Sequence, residues 1–412
     1  MIGTIVRKEI AANLLSYKFF IVICLASLLI ATSFFVMARN FKGRQADYQL
    51  IKPKAGEPIA VLPPNPLSIF AKGLDDAMSR SFEVSIIGIN VRAGQQSGNV
   101  VFSFFPSPDF VYIVKVVLSL VALLFGFDQF SREKEAGTLK LMFANSLSRA
   151  TVLAGKWLGN FLSLAVPFLL VTLLGIALMS LDPALRLSGP WLGRLAMLVA
   201  LSLVYIALFL SLGMFISTVT QRSASSLVIL LFLWSLLVFV LPNLGTLLAR
   251  QFVDVPSVRA LTEKRGQIWT REALLRFSDK TDDIWVTRIK NMNTEFDQME
   301  EDYRNKFDRL VRVSKTVNRL SPAASFVYAS TEIAGTGIGE EGLFKREVIR
   351  YKNRYLEDIR SGIKAHPAFV YRYRSIGRVL AEGGLFDLAW LLVFNIVFFA
   401  AGFVALLRYD VR

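Results

Sequence analysis

Cysteine, histidine and charged residues are all scarce in this chain of 412 residues, which has one Cys, one His and 19% charged residues. A single cysteine, Cys24, excludes a disulfide framework and a thiolate metal site. A single histidine, His366, excludes clusters such as a two-histidine zinc site, and copper handling gains no support from scattered methionines. Soluble domains carry nearer about 25% charged residues, so the low charge points to another class of protein.

Catalytic and nucleotide-binding motifs are missing as well. No G-x-x-x-x-G-K-[ST] sequence occurs. No H-E-x-x-H, paired carboxylates or Ser/His constellation lies in the apolar segments, which disfavours an intramembrane enzyme. The stretch "GTGIGEEG" contains G-x-G-x-x-G at Gly337, Gly339 and Gly342. Because no strand precedes it and no Lys-Ser/Thr follows, we interpret it as a flexible connection between helices.

Apolar residues are abundant instead, at 54% of the chain with 33 Phe. This composition indicates a polytopic membrane protein. The net charge of +15 is compatible with nucleic-acid binding, or with the basic cytoplasmic loops of membrane proteins. The long apolar runs favour the membrane interpretation, with the lipid bilayer as a partner and no nucleic acid.

Six segments are long enough to cross a bilayer as helices of about 20 residues. They are 19–38, 109–128, 158–180, 191–216, 225–249 and 384–407. The first run is too long for the apolar region of a signal peptide, and no small-x-small cleavage site follows it, so we expect a retained span. The predicted fold is an all-α polytopic protein of the cell inner membrane.

The distribution of Lys and Arg predicts the orientation. Basic residues of the short segments fall on one side if the spans alternate, and that side should be cytoplasmic. Both termini are then cytoplasmic, and segments 39–108 and 250–383 lie outside. Residues 1–18 carry apolar side chains near one helical face, which favours an interfacial elbow helix over a solvated leader.

The two outer segments differ in pattern. Segment 39–108 is rich in turn formers and predicts a small, partly extended domain. In 250–383, apolar residues at four- and three-residue steps from Trp285 through Ile289 to Leu320 predict a long amphipathic helix with a coiled-coil-like seam. A second stripe from Phe344 to Ile363 predicts a partner helix that packs back against it. Core packing explains these aromatic stripes better than a ligand site does.

Polar residues inside the spans are few. Lys115, Arg194 and Asp387 lie near predicted outer boundaries, where long side chains can reach the headgroups. A sharper hypothesis pairs Lys115 with Asp387 across the second and sixth spans, lining a substrate path. Asn160 and Asn395 are expected to form hydrogen bonds between helices.

The polar insert 129–157 separates the second and third spans. Its sequence predicts two short amphipathic helices with a break at Gly137, with Thr138 as a cap for the second and Ser146 or Ser148 as a cap for the third span. A short amphipathic helix parallel to the membrane exposes apolar residues that require a partner.

The insert and its flanks resemble the core of type-2 ABC transporter permeases, particularly the multicopper-enzyme-maturation branch. The residues that carry this resemblance are Glu133, Glu135, Gly137, Thr138, Leu139, Ser148, Arg149, Gly155 and Lys156. The outer stretch "RLSPAASFVYASTEIAGTG" and the terminal "LLRYDVR" are also similar to that branch. Many relatives have a Pro close to Ser146, which this chain lacks.

The resemblance implies that residues 130–149 form a coupling helix seated in a cleft of an ATPase subunit. Charged residues of this segment would set the docking register, and its apolar residues would be buried against the partner. The implied contact residues are Phe130, Arg132, Glu133, Glu135, Gly137, Thr138, Leu139, Leu141, Met142, Phe143 and Arg149. No cofactor would bind this chain directly, because ATP and Mg would lie on the separate ATPase. Two permease copies, identical or paralogous, would assemble with two ATPase copies.

Two functions suit this resemblance. The first is a non-catalytic permease of an exporter that moves a lipid, lipopeptide or other amphipathic cargo. The second is mechanotransmission, in which ATP hydrolysis moves the outer helices against an extracytoplasmic partner and no cargo crosses. A large helical outer domain is compatible with both.

Overall fold

The computed structural model describes residues 1–75, 81–85, 88–91, 108–144, 147–276, 282–363 and 366–409. Within these ranges, six helices are long and apolar enough to span a bilayer. They are TM1 (Phe19–Ile51), TM2 (Phe110–Glu135), TM3 (Arg149–Ser180), TM4 (Gly189–Val219), TM5 (Ser223–Phe252) and TM6 (Ile376–Leu407). The predicted all-α polytopic fold is confirmed.

The helices extend beyond the apolar segments that predict them. TM1 continues through polar residues to Ile51, TM3 begins at Arg149, and TM6 begins at Ile376. Hydropathy marks where the hydrocarbon ends, whereas a helix ends only where its backbone bonds stop. The extensions carry the spans into the segments that the sequence assigns to loops.

TM2 and TM4 form the centre of the bundle, since 61% and 67% of the residues in their most apolar stretches are buried. Two glycines meet at their crossing. A Cβ atom on Gly126 would lie 2.9 Å from the Gly213 Cα atom, so neither position accommodates a side chain. Small residues at such crossings let two helix backbones approach closely.

Hydrogen bonds between helices involve both of the predicted asparagines. Asn395 Oδ1 in TM6 accepts a bond from the Ser211 hydroxyl of TM4 at 2.9 Å. Asn160 Oδ1 in TM3 accepts bonds from Asn13 at 2.9 Å and from Gln129 at 3.2 Å. The prediction of interhelical bonding at these two positions is confirmed.

The N-terminal helix α1 (Ile2–Leu14) packs along the first turns of TM3. Gly155 and Gly159 provide the contact surface on TM3. A Cβ on Gly155 would lie 2.9 Å from Ile5, and a Cβ on Gly159 would lie 2.7 Å from Glu9. The four-residue spacing of the two glycines therefore makes a groove into which α1 fits.

Two short helices form the insert: α2 (Ser131–Glu135), which is the last part of the TM2 range, and α3 (Thr138–Ala144). Four longer helices follow TM5 in the chain: α4 (Val258–Arg276), α5 (Asp282–Asn318), α6 (Pro322–Ala334), which packs into the bundle core, and α7 (Ile338–Arg360). The strands β1 (Ile59–Val61), β2 (Ser81–Ser85) and β3 (Gly88–Val91) form an antiparallel sheet in the order β1-β2-β3. Residues 92–107 of the turn-rich outer segment lie outside the described residues.

The predicted packing of the aromatic stripe of α7 against α5 is wrong, although an ion pair between Lys352 and Asp297 at 2.7 Å joins the two helices. The aromatic stripe of α7 faces the sheet, where the Phe344 ring lies 5.7 Å from Phe82 and 6.1 Å from Phe369. The helix α5 instead buries Met292 and Phe296 with Ile268 of α4. The side chains of Trp285 and Ile289 lie outside the described residues. Periodicity identifies an apolar face, but it does not identify the element that covers the face.

The glycine-rich turn between α6 and α7 is buried, contrary to the prediction of a flexible connection. Gly335 ends α6 with a φ of +76°, a left-handed conformation that favours glycine. The Thr336 hydroxyl donates to the Ala71 carbonyl at 2.8 Å, and the Leu74 N–H donates to the Thr336 carbonyl at 2.9 Å. The turn is therefore fixed against the chain that follows β1.

Candidate functional site

The insert turns back on itself at Gly137. This residue has a φ of +71° between α2 and α3, in the region where a Cβ is strained. Thr138 begins α3, and its hydroxyl donates to the Glu133 carbonyl at 3.3 Å. Ser148 caps TM3 by accepting the Thr151 N–H at 3.2 Å, which confirms one of the two predicted caps. The result is a compact double turn between TM2 and TM3.

The outward surface of the insert, here called the insert tip, consists of the exposed residues Arg132, Glu135, Ala136, Gly137, Thr138, Lys140 and Leu141. Leu141 is its large apolar residue, and 68% of it is exposed. A leucine this exposed on an amphipathic helix has no apolar surroundings within the described chain. The insert tip therefore exposes one apolar anchor together with charged side chains.

Two residues predicted to contact a partner belong to the core of this chain. Phe130 and Leu139 are each 0% exposed and pack with the membrane bundle. Met142 and Phe143 are half-buried against the same core. Because α2 and α3 are short and amphipathic, their apolar faces turn inward. The prediction that Phe130 and Leu139 are buried against another subunit is corrected accordingly.

Lys156 joins the insert to α1. Its ammonium lies 2.8 Å from Glu133 Oε1 and 3.1 Å from Glu9 Oε1, and Lys156 is only 3% exposed. An ammonium taken out of water requires such partners to offset its lost hydration. One feature of the sequence sets Glu9 apart: it is the only acidic residue before Asp47. The resemblance marks Glu133 and Lys156, but spacing alone does not reveal that they touch.

The helix α2 is bonded to the adjacent ends of TM4 and TM5. The N–H groups of Phe130 and Ser131 donate to the Ser217 hydroxyl at 2.9 and 3.0 Å. Lys134 donates to the carbonyls of Thr218 and, at 3.1 Å, Thr220. These carbonyls end TM4, where the helix dipole favours a cation.

Glu135 binds the first residue of TM5. Its carboxylate accepts the Ser223 N–H at 3.2 Å and the Ser223 hydroxyl at 2.9 Å. A carboxylate is favourable at a helix N-terminus for the same reason that a cation is favourable at a C-terminus. No pattern in the sequence marks Ser217 or Ser223.

Arg149 ties the start of TM3 to the end of TM6. Its guanidinium donates to the carbonyls of Leu406 at 3.0 Å, Tyr409 at 3.1 Å and Leu407. Arg149 therefore has an internal role, and its predicted contact to a partner stays a prediction. Its donors satisfy carbonyls that a helix end otherwise leaves unpaired.

The predicted pair of Lys115 and Asp387 is wrong. Asp387 is 0% exposed, and its Oδ1 lies 2.6 Å from Arg319 Nε while its Oδ2 lies 3.7 Å from Lys315 Nζ. Lys115 lies over the Tyr112 ring at 5.4 Å. The counter-ions of Asp387 come from α5 and the residue after it, which belong to a segment predicted to lie outside the membrane.

A second charged junction joins α6 and α7 to TM4 and TM6. Arg374 binds Glu332 at 2.7 Å, Glu340 at 2.8 Å and Glu382 at 2.8 Å. Arg194 of TM4 donates to the carbonyls of Ile333 at 3.1 Å and of Arg374. Burial acts to lower the pKa of Arg374, but the three carboxylates outweigh it and raise the pKa. Arg194 is thus held by protein carbonyls rather than by headgroups.

The chain is similar to a known protein family and to named proteins. The protein family described as "ABC-2 family transporter protein" matches residues 4–411. A protein of Stutzerimonas stutzeri named "Probable ABC transporter permease protein NosY" is 33% identical over 121 residues, which are 29% of this chain and 42% of that protein. Its namesake in Pseudomonas aeruginosa is 30% identical over 165 residues, or 38% of this chain and 58% of that protein. Each alignment thus spans less than two thirds of the relative.

Proposed function

Since this chain belongs to the ABC-2 transporter family, we propose that it is the permease of an ATP-driven exporter of an amphipathic cargo such as a lipid or lipopeptide. Membership makes it a multi-pass membrane subunit of an ABC transporter and implies an ATPase partner. In the proposed assembly, two ATPase copies bind ATP and Mg, and a second permease copy or paralogue completes the pathway. The insert face is cytoplasmic in this assembly.

The observation that carries the proposal is the two-sided character of the insert. Its tip is exposed, whereas its inner side is bonded to TM3 and α1 through Glu133 and Lys156 and to TM4 through Lys134. Glu135, at the edge of the tip, is bonded to TM5. A displacement of the tip therefore moves several helix ends together. This is the arrangement required if ATPase closure is to change the tilt of the spans.

The insert tip supplies the proposed ATPase contact. Leu141 would fill an apolar pocket of the ATPase, and Arg132 and Lys140 would orient the complex. Buried apolar anchors carry most of the energy of protein interfaces, while exposed ion pairs add little. The proposed contact uses the exposed members of the predicted contact set.

The amphipathic nature of the cargo is supported by the interior of the bundle. A cavity of about 30 Å³ lies between TM1, TM2, TM3 and TM4, and its lining includes Ile30, Leu118 and Phe168. None of the lining residues that the structure describes is charged. Pro167 also borders it, and a proline in a helix weakens the backbone locally. A pathway that widens here would offer an apolar surface to the apolar part of a cargo.

Mechanotransmission is the second candidate, and TM6 favours it. One end of TM6 is held by Arg149, and Asp387 near its other end holds the base of α5. The helix α5 has 37 residues. A helix of that size is about 55 Å long, so a small tilt at its base would move its far end by several ångströms.

The two candidates differ in what stimulates the ATPase. The complex, purified with its associated ATPase and placed in proteoliposomes, should hydrolyse ATP faster when the cargo is present and no outer protein is added. Mass spectrometry of the copurified lipids and lipopeptides would supply the cargo to test. Stimulation only by an outer protein, with nothing moved across the bilayer, would reject export in favour of mechanotransmission.

A further inference from the structure

A groove of about 740 Å³ opens between the ends of TM4 and TM6 on the membrane face that carries the insert. One wall is apolar. It is built from Phe215 and Val219 of TM4 and from Ala401, Val404 and Ala405 of TM6. The two alanines leave room between the helices, and the volume is typical of sites that hold small molecules.

The mouth of the groove is cationic. Lys134 of the insert and Arg408 at the end of TM6 line it, together with the polar Thr218 and Gln221. Arg408 is exposed and forms no ion pair within the described part of the chain. Among the described residues that line the groove, none is acidic. The charge of the mouth is therefore positive.

Two helix C-termini meet at this mouth, and their carbonyls would repel an anion if they were left bare. They are covered. Lys134 binds the carbonyls of Thr218 and Thr220, and Arg149 binds those of Leu406 and Tyr409. Lys134 also lies 5.1 Å above the Tyr409 ring. With the helix ends neutralised, Arg408 retains its donors for another group.

A cationic mouth above an apolar wall at the end of two spans matches one kind of molecule: an anion attached to an apolar chain. We propose that this groove binds an anionic phospholipid of the leaflet on the insert side. Its phosphate contacts Arg408 and Lys134, and an acyl chain lies along Val404 and Ala405. A free phosphate would leave the apolar wall uncovered, and a zwitterionic lipid would gain less from the two cations.

The position of the groove gives the lipid a specific consequence. Lys134 belongs to α2, so the bound headgroup contacts the insert directly and shares a residue with the bonds that hold TM4. The lipid would then stabilise the insert against its neighbours. This role is independent of the cargo and of which function the ATPase drives.

The test uses the purified full-length chain in nanodiscs that contain labelled phosphatidylglycerol or phosphatidylcholine at equal concentration. The wild type should prefer phosphatidylglycerol. Arg408→Gln should lower the affinity for phosphatidylglycerol about fivefold, as expected for one basic residue at a membrane surface. Ala405→Phe should reduce binding by filling the groove while both cations remain.

Matched controls separate the groove from the surface as a whole. Arg7→Gln removes an exposed cation of α1, and Ile396→Phe enlarges a lipid-facing residue of TM6 that does not line the groove. Both should bind phosphatidylglycerol as the wild type does. Absence of a lipid preference in the wild type, an equal loss in the controls, or unchanged binding in both groove variants would overturn the proposal. Loss of the preference when the associated ATPase is present would assign the groove to that protein instead.

Discussion

The Lys156 ammonium contacts Glu133 Oε1 at 2.8 Å and Glu9 Oε1 at 3.1 Å, and these contacts join three separate parts of the chain. Glu133 belongs to the insert, Glu9 to α1 and Lys156 to TM3. Both side chains of the Lys156–Glu133 pair are largely removed from solvent, with 4% and 17% exposed. The pair fixes the insert relative to the bundle, since neither charge can leave without losing its only close counter-charges among the described residues.

Lys156→Met should therefore lower the free energy of unfolding by about 3–5 kcal/mol, because it leaves two carboxylates without their cation. Thermal unfolding of the detergent-solubilised chain measures this loss. Combining it with Glu9→Gln and Glu133→Gln should restore much of the stability. Lys140→Met, on the exposed insert tip, is the control, and an equal loss there would show that the Lys156 contacts contribute nothing.

Leu141→Asp should weaken association with the ATPase by about 2 kcal/mol or more, because it replaces an apolar anchor with a charge. Lys140→Ala should weaken it by less than about 1 kcal/mol, as an exposed charge would. Copurification of the ATPase with each variant measures the difference. If both variants retain the same amount of ATPase and the same transport, the tip is not the docking surface.

Leu139→Ala should lower folding stability rather than ATPase affinity, unlike Leu141→Asp. Leu139 is 0% exposed in the core of this chain, so its truncation should cost about 2–5 kcal/mol of folding stability. The fraction that remains folded should still bind the ATPase with wild-type affinity. Separate measurements of unfolding and of ATPase affinity check this. A stable Leu139→Ala chain that fails to bind would place Leu139 in the interface after all.

Asp387→Asn should loosen the base of α5 by leaving Arg319 and Lys315 without their shared carboxylate. We expect faster limited proteolysis of α4 and α5 in the purified chain. Lys115→Met is the control and should leave that cleavage rate unchanged. Exchanging the charges, with Asp387→Arg and Arg319→Asp together, should restore part of the protection. Equal cleavage of Asp387→Asn and the wild type would show that other contacts hold α5.

Alkaline pH should destabilise the contact between Tyr371 and α7. Burial and the charge of Glu340 raise the pKa of this tyrosine, whose hydroxyl donates to Glu340 at 2.7 Å. The unfolded chain therefore ionises first, above about pH 10, so the stabilisation is complete below that pH and is lost as the pH rises further. In Tyr371→Phe, the midpoint temperature of unfolding should fall less steeply between about pH 10 and 11 than it does in the wild type. An unchanged slope would contradict this account.

Hydropathy predicted the spans because lipid-exposed and buried helices share one requirement, an apolar surface. The position of Asn160 and Asn395 inside the spans predicted that they form hydrogen bonds between helices, since an amide in the bilayer needs a partner. The same reasoning failed for Leu139, whose apolar character suits a neighbouring helix as well as a neighbouring subunit. It failed for Asp387 because charge pairing depends on which helices are adjacent, and a chain of alternating spans does not specify their arrangement.

The contact between Gly126 and Gly213 limits how the bundle can move. A Cβ on Gly126 would lie 2.9 Å from the backbone of Gly213, so the two helices meet without side chains at this point. Such a crossing has no rotamers to rearrange and no gap to close, so TM2 and TM4 should turn together as one rigid body. Any opening of a pathway then requires the peripheral helices to pivot around this fixed pair.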